Sequence, residues 1–378
     1  MSRDLEFVLK LTEYISKKNR FPSSPHHLDV RKLIETTLGQ LGDVQSQPFK
    51  ASLRKPVLGY VKTLSDYHGI PYTNSPSFQG SGIVVNCGFG TSKELLGKDL
   101  KGKFALIREG KRPFREKEKL LKLKGARAVI VYRAEVNEIY NGISAGLLPV
   151  LSLKREDAQL LDGATVELTV QTQQVEVEGK NLWLDLGSKG HCLTFIAHYD
   201  TKPGTFGAID NAVSVALLLW LASKLANSFK GKTYRIRFLF TDLEEYGLQG
   251  AEHFVATLSE REIKNTIAIS VDTVGWNNPA VLYRDGEGFN DTRLIEAVER
   301  MLDYLKFRDI FLFKEGRSGR SDHIPFRRRG ARTLFFASNP FPLRHTVLDN
   351  FSAVNPEMVK KWMQLLHLFA TGFKRFLA

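Results

Sequence analysis

The feature that most constrains this chain is an apolar run that ends in charged residues and is followed by a long apolar helix. Residues 193–197 are apolar and predict a buried strand, and His198 and Asp200 follow it directly. A loop containing Gly and Pro leads to Asp210, after which residues 212–227 predict an apolar helix. In open α/β sheets, ligands bind at the carboxyl edge of the strands. The stretch therefore predicts a metal or ligand loop at such an edge.

The chain around this loop alternates strand patterns with helix patterns. Further strands are predicted at 181–186, 234–240, 266–271 and 331–337, and further helices at 250–258, 292–307 and from Pro356 onward. Two amphipathic helices near 5–15 and 24–42 are expected to pack on the same sheet. This alternation is typical of an α/β fold with a mainly parallel mixed sheet and helices on both faces.

Between the N-terminal helices and this block, the composition changes to short strands broken by Gly, Pro and Asn. The predicted elements are strands at 82–87, 103–107, 128–132, 148–153 and 164–170 and a basic helix at 114–124. No cluster of candidate metal ligands occurs among them. We therefore expect a small inserted, β-rich α+β domain over residues 54–171 and one larger domain formed by residues 1–53 and 172–378.

Composition and charge argue against several other classes of protein. The longest apolar run, 212–222, is shorter than the roughly 20 residues that cross a bilayer, so no membrane span is expected. The N-terminus carries acidic residues and a helical period of apolar residues instead of a continuous apolar core, so no signal peptide is expected. With only Cys87 and Cys192, no disulfide framework is expected, which fits a cytoplasmic location. The net charge of +13 is spread along the chain and indicates a solvated basic surface, with no nucleic-acid partner.

Acidic residues and histidines follow four of the predicted strands. They are His198 and Asp200 after 193–197, Asp242, Glu244 and Glu245 after 234–240, Asp272 after 266–271, and His345 and Asp349 after 331–337. Because the ends of parallel strands share one edge, we expect these side chains to lie close together. Separate helix caps would explain any one of them, but not all of them together with the histidines.

Such a cluster of carboxylates would raise the pKa values of its members unless cations neutralised it. Two histidines with several carboxylates and no cysteine suit zinc or a similar divalent ion. The number of ligands is enough for two ions that share a bridging carboxylate, as in two-metal hydrolases.

Six segments resemble the di-zinc aminopeptidases related to bacterial leucyl aminopeptidases and glutamate carboxypeptidase II. They are HYD (198–200), GAIDNA (207–212), DLEEYGLQGA (242–251), VDTVG (271–275), SDHIPF (321–326) and HTVLDN (345–350). The block at 54–171 resembles the protease-associated domain of several such enzymes through SGIVV, DLKGKFALIREG and KGARAVIVY. The resemblance implies a zinc-peptidase fold and an aminopeptidase that hydrolyses the N-terminal bond of a peptide or dipeptide.

The same resemblance implies a role for each residue of the cluster. One zinc ion would be held by His198 and Asp272 and the other by Glu245 and His345, with Asp210 bridging them. Another divalent metal could take the place of zinc at these positions.

Two further residues would act in catalysis, and five other residues would contact the substrate. Glu244 would be the general base, and Asp200 would fix the tautomer of His198. The residues assigned to substrate binding are Ser321, Asp322, His323, Arg317 and Arg320. The two arginines would either attract an acidic side chain or a free carboxylate, or simply belong to a solvated basic loop.

Three other functions are open. Residues 321–350 also resemble glutaminyl cyclases, which keep this fold and use one zinc ion to cyclise an N-terminal glutamine. Asn211, the continuation at 246–248 and the protease-associated insert argue against that function. A carboxypeptidase or dipeptidase of the same fold is a further alternative. A non-catalytic binding protein is less favoured, because a degenerate scaffold would be expected to lose some of the ligands.

Overall fold

The structure is a computed structural model that describes residues 2–187, 190–229, 234–307, 311–315 and 319–377. The strands are β1 (Val44–Lys62), β2 (Asp66–Pro71), β3 (Phe78–Asn86), β4 (Phe104–Arg108), β5 (Ala128–Tyr132), β6 (Val150–Ser152), β7 (Thr165–Leu186), β8 (His191–His198), β9 (Tyr234–Thr241), β10 (Thr266–Val271), β11 (Pro279–Asp285), β12 (Gly288–Phe289), β13 (Leu312–Glu315) and β14 (Arg332–Ser338). The helices are α1 (Arg3–Ile15), α2 (Pro25–Gly39), α3 (Phe114–Leu123), α4 (Arg155–Gln159), α5 (Val213–Ala226), α6 (Gln249–Ala256), α7 (Glu260–Lys264), α8 (Thr292–Tyr304), α9 (His323–Arg328) and α10 (Pro356–Gly372).

The strands form one hydrogen-bonded sheet in the order β1-β2-β6-β5-β4-β3-β7-β9-β8-β10-β14-β11-β12, with β13 beside β11. Its central strands, β9, β8, β10 and β14, each pair in parallel with the next. β7 pairs antiparallel with β9, and β11 pairs antiparallel with β14. The predicted mainly parallel mixed sheet is therefore confirmed.

Strand β8 shows why the sheet needs helices on both faces. Leu193 and Phe195 contribute to a large core with α1, α2, α5, α8 and α10. Ile196 contributes to the core on the other face, together with Phe254 of α6 and Phe326 of α9. Successive side chains of a strand point to opposite faces, so an uninterrupted apolar run must be covered on both sides.

Helix α5 follows the Asp210 loop and is the central helix of the large core. Of its 14 residues, 11 are buried, so it has no solvated face. A helix that is apolar on all sides belongs in the interior of a protein or in a membrane. The segment Ala208–Ala226 is long and apolar enough for a membrane span, but 89% of its most apolar window is buried inside the protein. It is a core helix, and each buried leucine contributes about 1.5–3 kcal/mol.

The long strands β1 and β7 pair with each other and extend from the main sheet into a second region, residues 54–171, which we call the insert. There β3, β4, β5 and β6 pair in parallel and separate two smaller cores. The sequence predicts separate strands at 164–170 and 181–186, but the structure has one strand of 22 residues there. The predicted domain boundaries fall within β1 and β7, and this division stays a prediction.

Candidate metal centre

The carboxyl ends of the central strands meet at one edge of the sheet, as their parallel pairing requires. His198 is the last residue of β8, and Asp272 directly follows β10. Glu245 lies in the turn after β9, and His345 lies on the loop after β14. Asp210 comes from the loop between β8 and α5. All five predicted ligands are brought together and are buried.

The five residues form two groups that share Asp210. In the first, His198 Nε2 lies 3.1 Å from Asp210 Oδ1 and 3.7 Å from Asp272 Oδ1. In the second, His345 Nε2 lies 3.3 Å from Asp210 Oδ2 and 3.0 Å from Glu245 Oε2. The candidate ligand atoms of each group lie within 4.8 Å of one another. Asp210 thus offers one oxygen to each group, which is the arrangement of a bridging carboxylate.

Two oxygen atoms in the cluster show that it fits a cation. Glu245 Oε1 and Asp272 Oδ1 are buried and accept no hydrogen bond from the described residues. A buried carboxylate oxygen without a donor is unfavourable unless a metal ion or a proton satisfies it. Imidazole and carboxylate groups without thiolates are a donor set that zinc accepts, with positions left for water and substrate. Each group therefore fits one zinc ion.

The loop that carries Asp210 is held by the buried side chain of Arg20, which follows α1. The guanidinium group donates hydrogen bonds to three backbone carbonyl groups of this loop. The acceptors are Tyr199 at 2.8 Å, Phe206 at 2.7 Å and Gly207 at 2.9 Å. Gly207 has a φ of 61°, and a side chain there would meet the carbonyl of Asp210. Arg20 therefore fixes the path of the chain into the bridging carboxylate.

Asp349 binds the backbone at Asp210. Its carboxylate accepts hydrogen bonds from the backbone N–H groups of Ile209 at 2.7 Å and Asp210 at 3.2 Å. Burial and the neighbouring charge of Asp210 raise the pKa of Asp349 to about 7. Asp349 thus holds the backbone of the bridging residue and is not one of the two ligand groups.

Asp200 organises the turn that carries the paired glutamates. Its Oδ1 accepts a hydrogen bond from the backbone N–H of Glu244 at 3.1 Å, and its Oδ2 accepts one from Glu245 at 3.2 Å. The same carboxylate faces His198 Nδ1 at 3.4 Å. Leu243 precedes the pair with a φ of 57°, so the chain turns sharply before Glu244. This turn allows two adjacent glutamates to face one site.

Glu244 lies beside the ligand groups without belonging to either. Its Oε2 is 4.0 Å from His198 Nε2, and it lines the cavity in front of the cluster. Burial raises the pKa of Glu244 well above its usual value; the charges of Glu245 and Asp272 add to this, and His198 opposes it. A carboxyl group in this position can accept and release a proton.

Asp242 also follows β9, but it lies outside the two ligand groups. Its carboxylate accepts hydrogen bonds from Tyr199 Oη at 2.7 Å and from Arg31 Nη2 at 3.2 Å, and Oδ1 is 2.8 Å from His27 Nε2. Asp242 therefore connects α2 to the sheet and has a structural role.

Three of the predicted substrate contacts are buried and do not line the cavity in front of the ligand groups. Ser321 is buried, with its Oγ 2.6 Å from Ser270 Oγ. His323 Nε2 is 2.8 Å from Asp285 Oδ2 and is also buried. Asp322 is buried and bonded to Thr241. This differs from the prediction because the sequence shows which residues follow a strand but not which way they point.

Burial raises the pKa of Asp322 to about 7; His198 and Thr241 act in the opposite direction, and Asp200 and Asp272 add to the rise. Arg320 does line the cavity, where its Nη2 pairs with Glu287 Oε1 at 2.9 Å. Arg317 lies outside the described residues, so its predicted role stays a prediction.

A cavity of about 260 Å³ lies in front of the ligand groups, between the larger region and part of the insert. The insert contributes several wall residues, among them Tyr72, Glu109, Arg133 and Tyr140. From the larger region, the wall contains the cations Lys202 and Arg344, which sequence reasoning missed. Their positions in the sequence could have indicated that they line the site, because Lys202 is two residues after Asp200 and Arg344 directly precedes His345.

The chain is thus an α/β protein with two groups of candidate metal ligands at the carboxyl edge of its sheet. The sequence matches the profile of peptidase family M28 over residues 181–370 and that of the PA domain over residues 67–161. The first match covers half of the chain, and the chain therefore belongs to peptidase family M28 and contains a PA domain.

Known proteins of similar sequence include aminopeptidases and a cyclase relative. Aminopeptidase YwaD of Bacillus subtilis is 29% identical over 296 residues, which are 74% of this chain and 64% of that protein. The glutaminyl-peptide cyclotransferase-like protein of Mus musculus is 28% identical over 226 residues, 50% of this chain and 59% of that protein. The chain thus spans less than two thirds of the length of either relative.

Solved structures share the fold over nearly the whole chain. The aminopeptidase from Aneurinibacillus sp. strain AM-1 has a TM-score of 0.72 and 25% identity, covering 96% of this chain and 92% of that one. BSAP, a zinc aminopeptidase from Bacillus subtilis, has a TM-score of 0.78 and 24% identity, covering 97% and 94%. The predicted zinc-peptidase fold is confirmed.

Proposed function

We propose that the protein is a zinc-dependent exopeptidase, an aminopeptidase that hydrolyses the N-terminal bond of peptides or dipeptides. The observation that carries the proposal is the pair of ligand groups sharing Asp210, with the carboxyl group of Glu244 beside them. Membership of peptidase family M28 and the aminopeptidases among similar proteins support the same activity.

We assign one zinc ion to His198, Asp210 and Asp272. A second is assigned to Asp210, Glu245 and His345. Zinc in such a site supplies Lewis-acid chemistry that activates water and polarises a carbonyl group. The two imidazoles and the shared carboxylate fix where this chemistry occurs, in front of Glu244. A similar divalent ion fits the same donor set.

Glu244 is the general base of the proposed reaction. Its carboxylate takes a proton from the attacking water and later delivers it to the leaving amine. The raised pKa of Glu244 favours holding the proton between these events. Asp200, which faces His198 Nδ1, favours the tautomer protonated at that atom and leaves Nε2 available as a ligand.

The proposed division of the chain assigns residues 1–53 and 172–378 to the peptidase domain and residues 54–171 to the PA domain. Both profile matches fall within these ranges. Because insert side chains form one wall of the cavity, the insert would limit which substrates reach Glu244.

The cations of the cavity support a substrate that carries a carboxylate near the scissile bond. Lys202 is buried, its Nζ has no hydrogen-bond partner among the described residues, and it lies 3.8 Å from Glu245 Oε2. Arg320 and Arg344 line the same space. Once zinc neutralises the ligand carboxylates, these cations would bind the free carboxylate of a dipeptide or an acidic side chain.

Substrate pairs test this preference. A dipeptide such as Leu-Gly is compared with its C-terminal amide, and Glu-anilide with Gln-anilide. We expect KM to rise about tenfold when the preferred carboxylate is removed, the order expected for one lost charge-assisted hydrogen bond. In Arg344→Gln this difference should shrink, and in Arg261→Gln, an exposed arginine on α7, it should remain. Equal KM values within both pairs would overturn the proposed preference for a substrate that carries a carboxylate.

The activity itself is tested by offering the full chain amino-acid anilides and a peptide that begins with glutamine. We expect anilide hydrolysis that is lost with a chelator and restored by zinc. Cyclisation of the glutamine peptide without hydrolysis would instead establish the cyclase alternative, which the similarity to the Mus musculus protein favours. Hydrolysis that a chelator does not affect would overturn the proposal.

A further inference from the structure

Part of the insert lies directly against the loop that carries His345. The ring of Tyr140 stacks on the imidazole of His345, with ring centroids 5.4 Å apart and planes inclined by 26°. The backbone N–H of Asn141 donates to the carbonyl of His345 at 3.0 Å. Arg133 Nη1 donates to the carbonyl of Arg344 at 2.8 Å. The insert therefore contacts both the side chain and the backbone of a candidate ligand.

His345 needs such support from outside its own loop. It lies in neither a strand nor a helix, and its φ of 62° is uncommon for residues other than glycine. Its Nδ1 is buried and has no hydrogen-bond partner in the described part of the chain. Metal-binding histidines usually donate this second N–H to a carboxylate or carbonyl, which fixes the ring. At His345 the stacked ring of Tyr140 is the contact on the imidazole that comes from outside the ligand groups.

The ring of Tyr140 is itself held in place by neighbouring residues of the insert. The guanidinium group of Arg133 lies 4.6 Å from the ring centroid of Tyr140, and Tyr72 meets the ring edge-on at 6.3 Å. The backbone N–H of Thr73 donates to the carbonyl of Gly142 at 3.1 Å, which ties the segment to the end of β2. A side chain held in this way can orient its neighbour at little entropic cost.

The other histidine has a different environment. His198 Nδ1 also makes no hydrogen bond within the described residues, but it lies 3.4 Å from Asp200 Oδ1, and His198 Nε2 lies among Asp210, Glu244 and Asp272. All of these residues belong to the larger region of the chain, on the strand ends and loops of the main sheet.

We propose that the insert sets the zinc affinity of one of the two metal positions. Tyr140 and Asn141 are positioning residues for His345, whereas the position formed with His198 and Asp272 does not depend on them. This inference rests on the proposed two-zinc centre.

The test is zinc affinity, measured by competition with a chromogenic chelator on the full-length protein. Tyr140→Ala should weaken one zinc about 10- to 100-fold, the usual effect of losing a group that orients a metal ligand, and leave the other unchanged. Tyr140→Phe keeps the ring and should bind both ions as the wild type does. In a His345→Ala background, Tyr140→Ala should have no further effect on the remaining zinc.

Two further variants separate positioning from a general disturbance of the insert. Tyr60→Ala removes another ring of the insert, one that lies 6.3 Å from His68, and should leave zinc affinity unchanged. If Tyr140→Ala does not fold, Tyr140→Leu, which fills the space without a planar ring, should give the same loss. A wild type that binds two zinc ions and a Tyr140 variant that binds them equally well would overturn this inference alone. A wild type that binds no zinc would overturn the proposed function as well.

Discussion

The two histidines of the centre are held in different ways. His198 ends a central strand, its second ring nitrogen faces Asp200, and the adjoining Asp210 loop is held by Arg20. His345 lies on an irregular loop, and the ring against it, Tyr140, comes from the insert. One half of the centre is thus built into the main sheet, while the other depends on an interface between two regions. The main sheet supplies the ligands of both halves, but only the His345 half is also in contact with the insert.

The largest effect is expected where the two halves meet. Glu244 lies 4.0 Å from His198 and directly precedes Glu245, which pairs with His345. Glu244→Gln removes the proposed base but no ligand, so kcat should fall by about 10²- to 10⁴-fold while zinc content is unchanged. Kinetics on an amino-acid anilide together with metal analysis check this. Glu252→Gln, an exposed glutamate on α6, is the matched control, and normal turnover of Glu244→Gln would remove Glu244 from the mechanism.

The second prediction compares how much the contacts that support each half of the centre contribute to the free energy of unfolding. Arg20→Leu leaves three loop carbonyls without their donor and should lower the free energy of unfolding by about 2–4 kcal/mol. Arg133→Leu removes one hydrogen bond to Arg344 at the insert interface and should cost about 1 kcal/mol or less. Urea unfolding of the metal-free proteins measures both. Equal losses would show that the two halves are supported alike.

The smallest effect concerns the orientation of His198. Asp200→Ala should weaken zinc binding about 10- to 100-fold at the position that includes His198, because the group facing Nδ1 is lost, and it also removes the acceptor of the Glu245 backbone N–H. Combined with Tyr140→Ala, the losses should add, since the two substitutions remove different supporting contacts. Chelator competition on the single and double variants gives the comparison. A double variant no weaker than Asp200→Ala alone would contradict the separation of the halves.

The sheet and the members of the ligand groups were predictable from the sequence. Apolar runs such as 193–197 mark buried parallel strands, and the residues after them must meet at one edge. For this reason the amino-acid sequence alone places His198, Asp272 and His345 together. The family resemblance then separated Asp210 as the shared residue, which composition and spacing alone left open.

Side-chain direction and long-range contacts were not predictable in this way. Asp242 and Glu244 both follow β9, yet only Glu244 faces the cavity, because Leu243 between them has a left-handed backbone. Ser321 and His323 are buried and contact Ser270 and Asp285 instead of lining the cavity. The pairing of Tyr140 with His345 depends on how the insert docks on the sheet, which no local pattern in the chain expresses.

The most direct measurement is anomalous scattering at the zinc edge from crystals of the zinc-loaded protein. Two peaks are predicted, one bounded by His198 and Asp272 and the other by Glu245 and His345, with one oxygen of Asp210 beside each. The second peak should lose occupancy in Tyr140→Ala crystals. A single peak, or no peak at these side chains, would contradict the two-zinc centre.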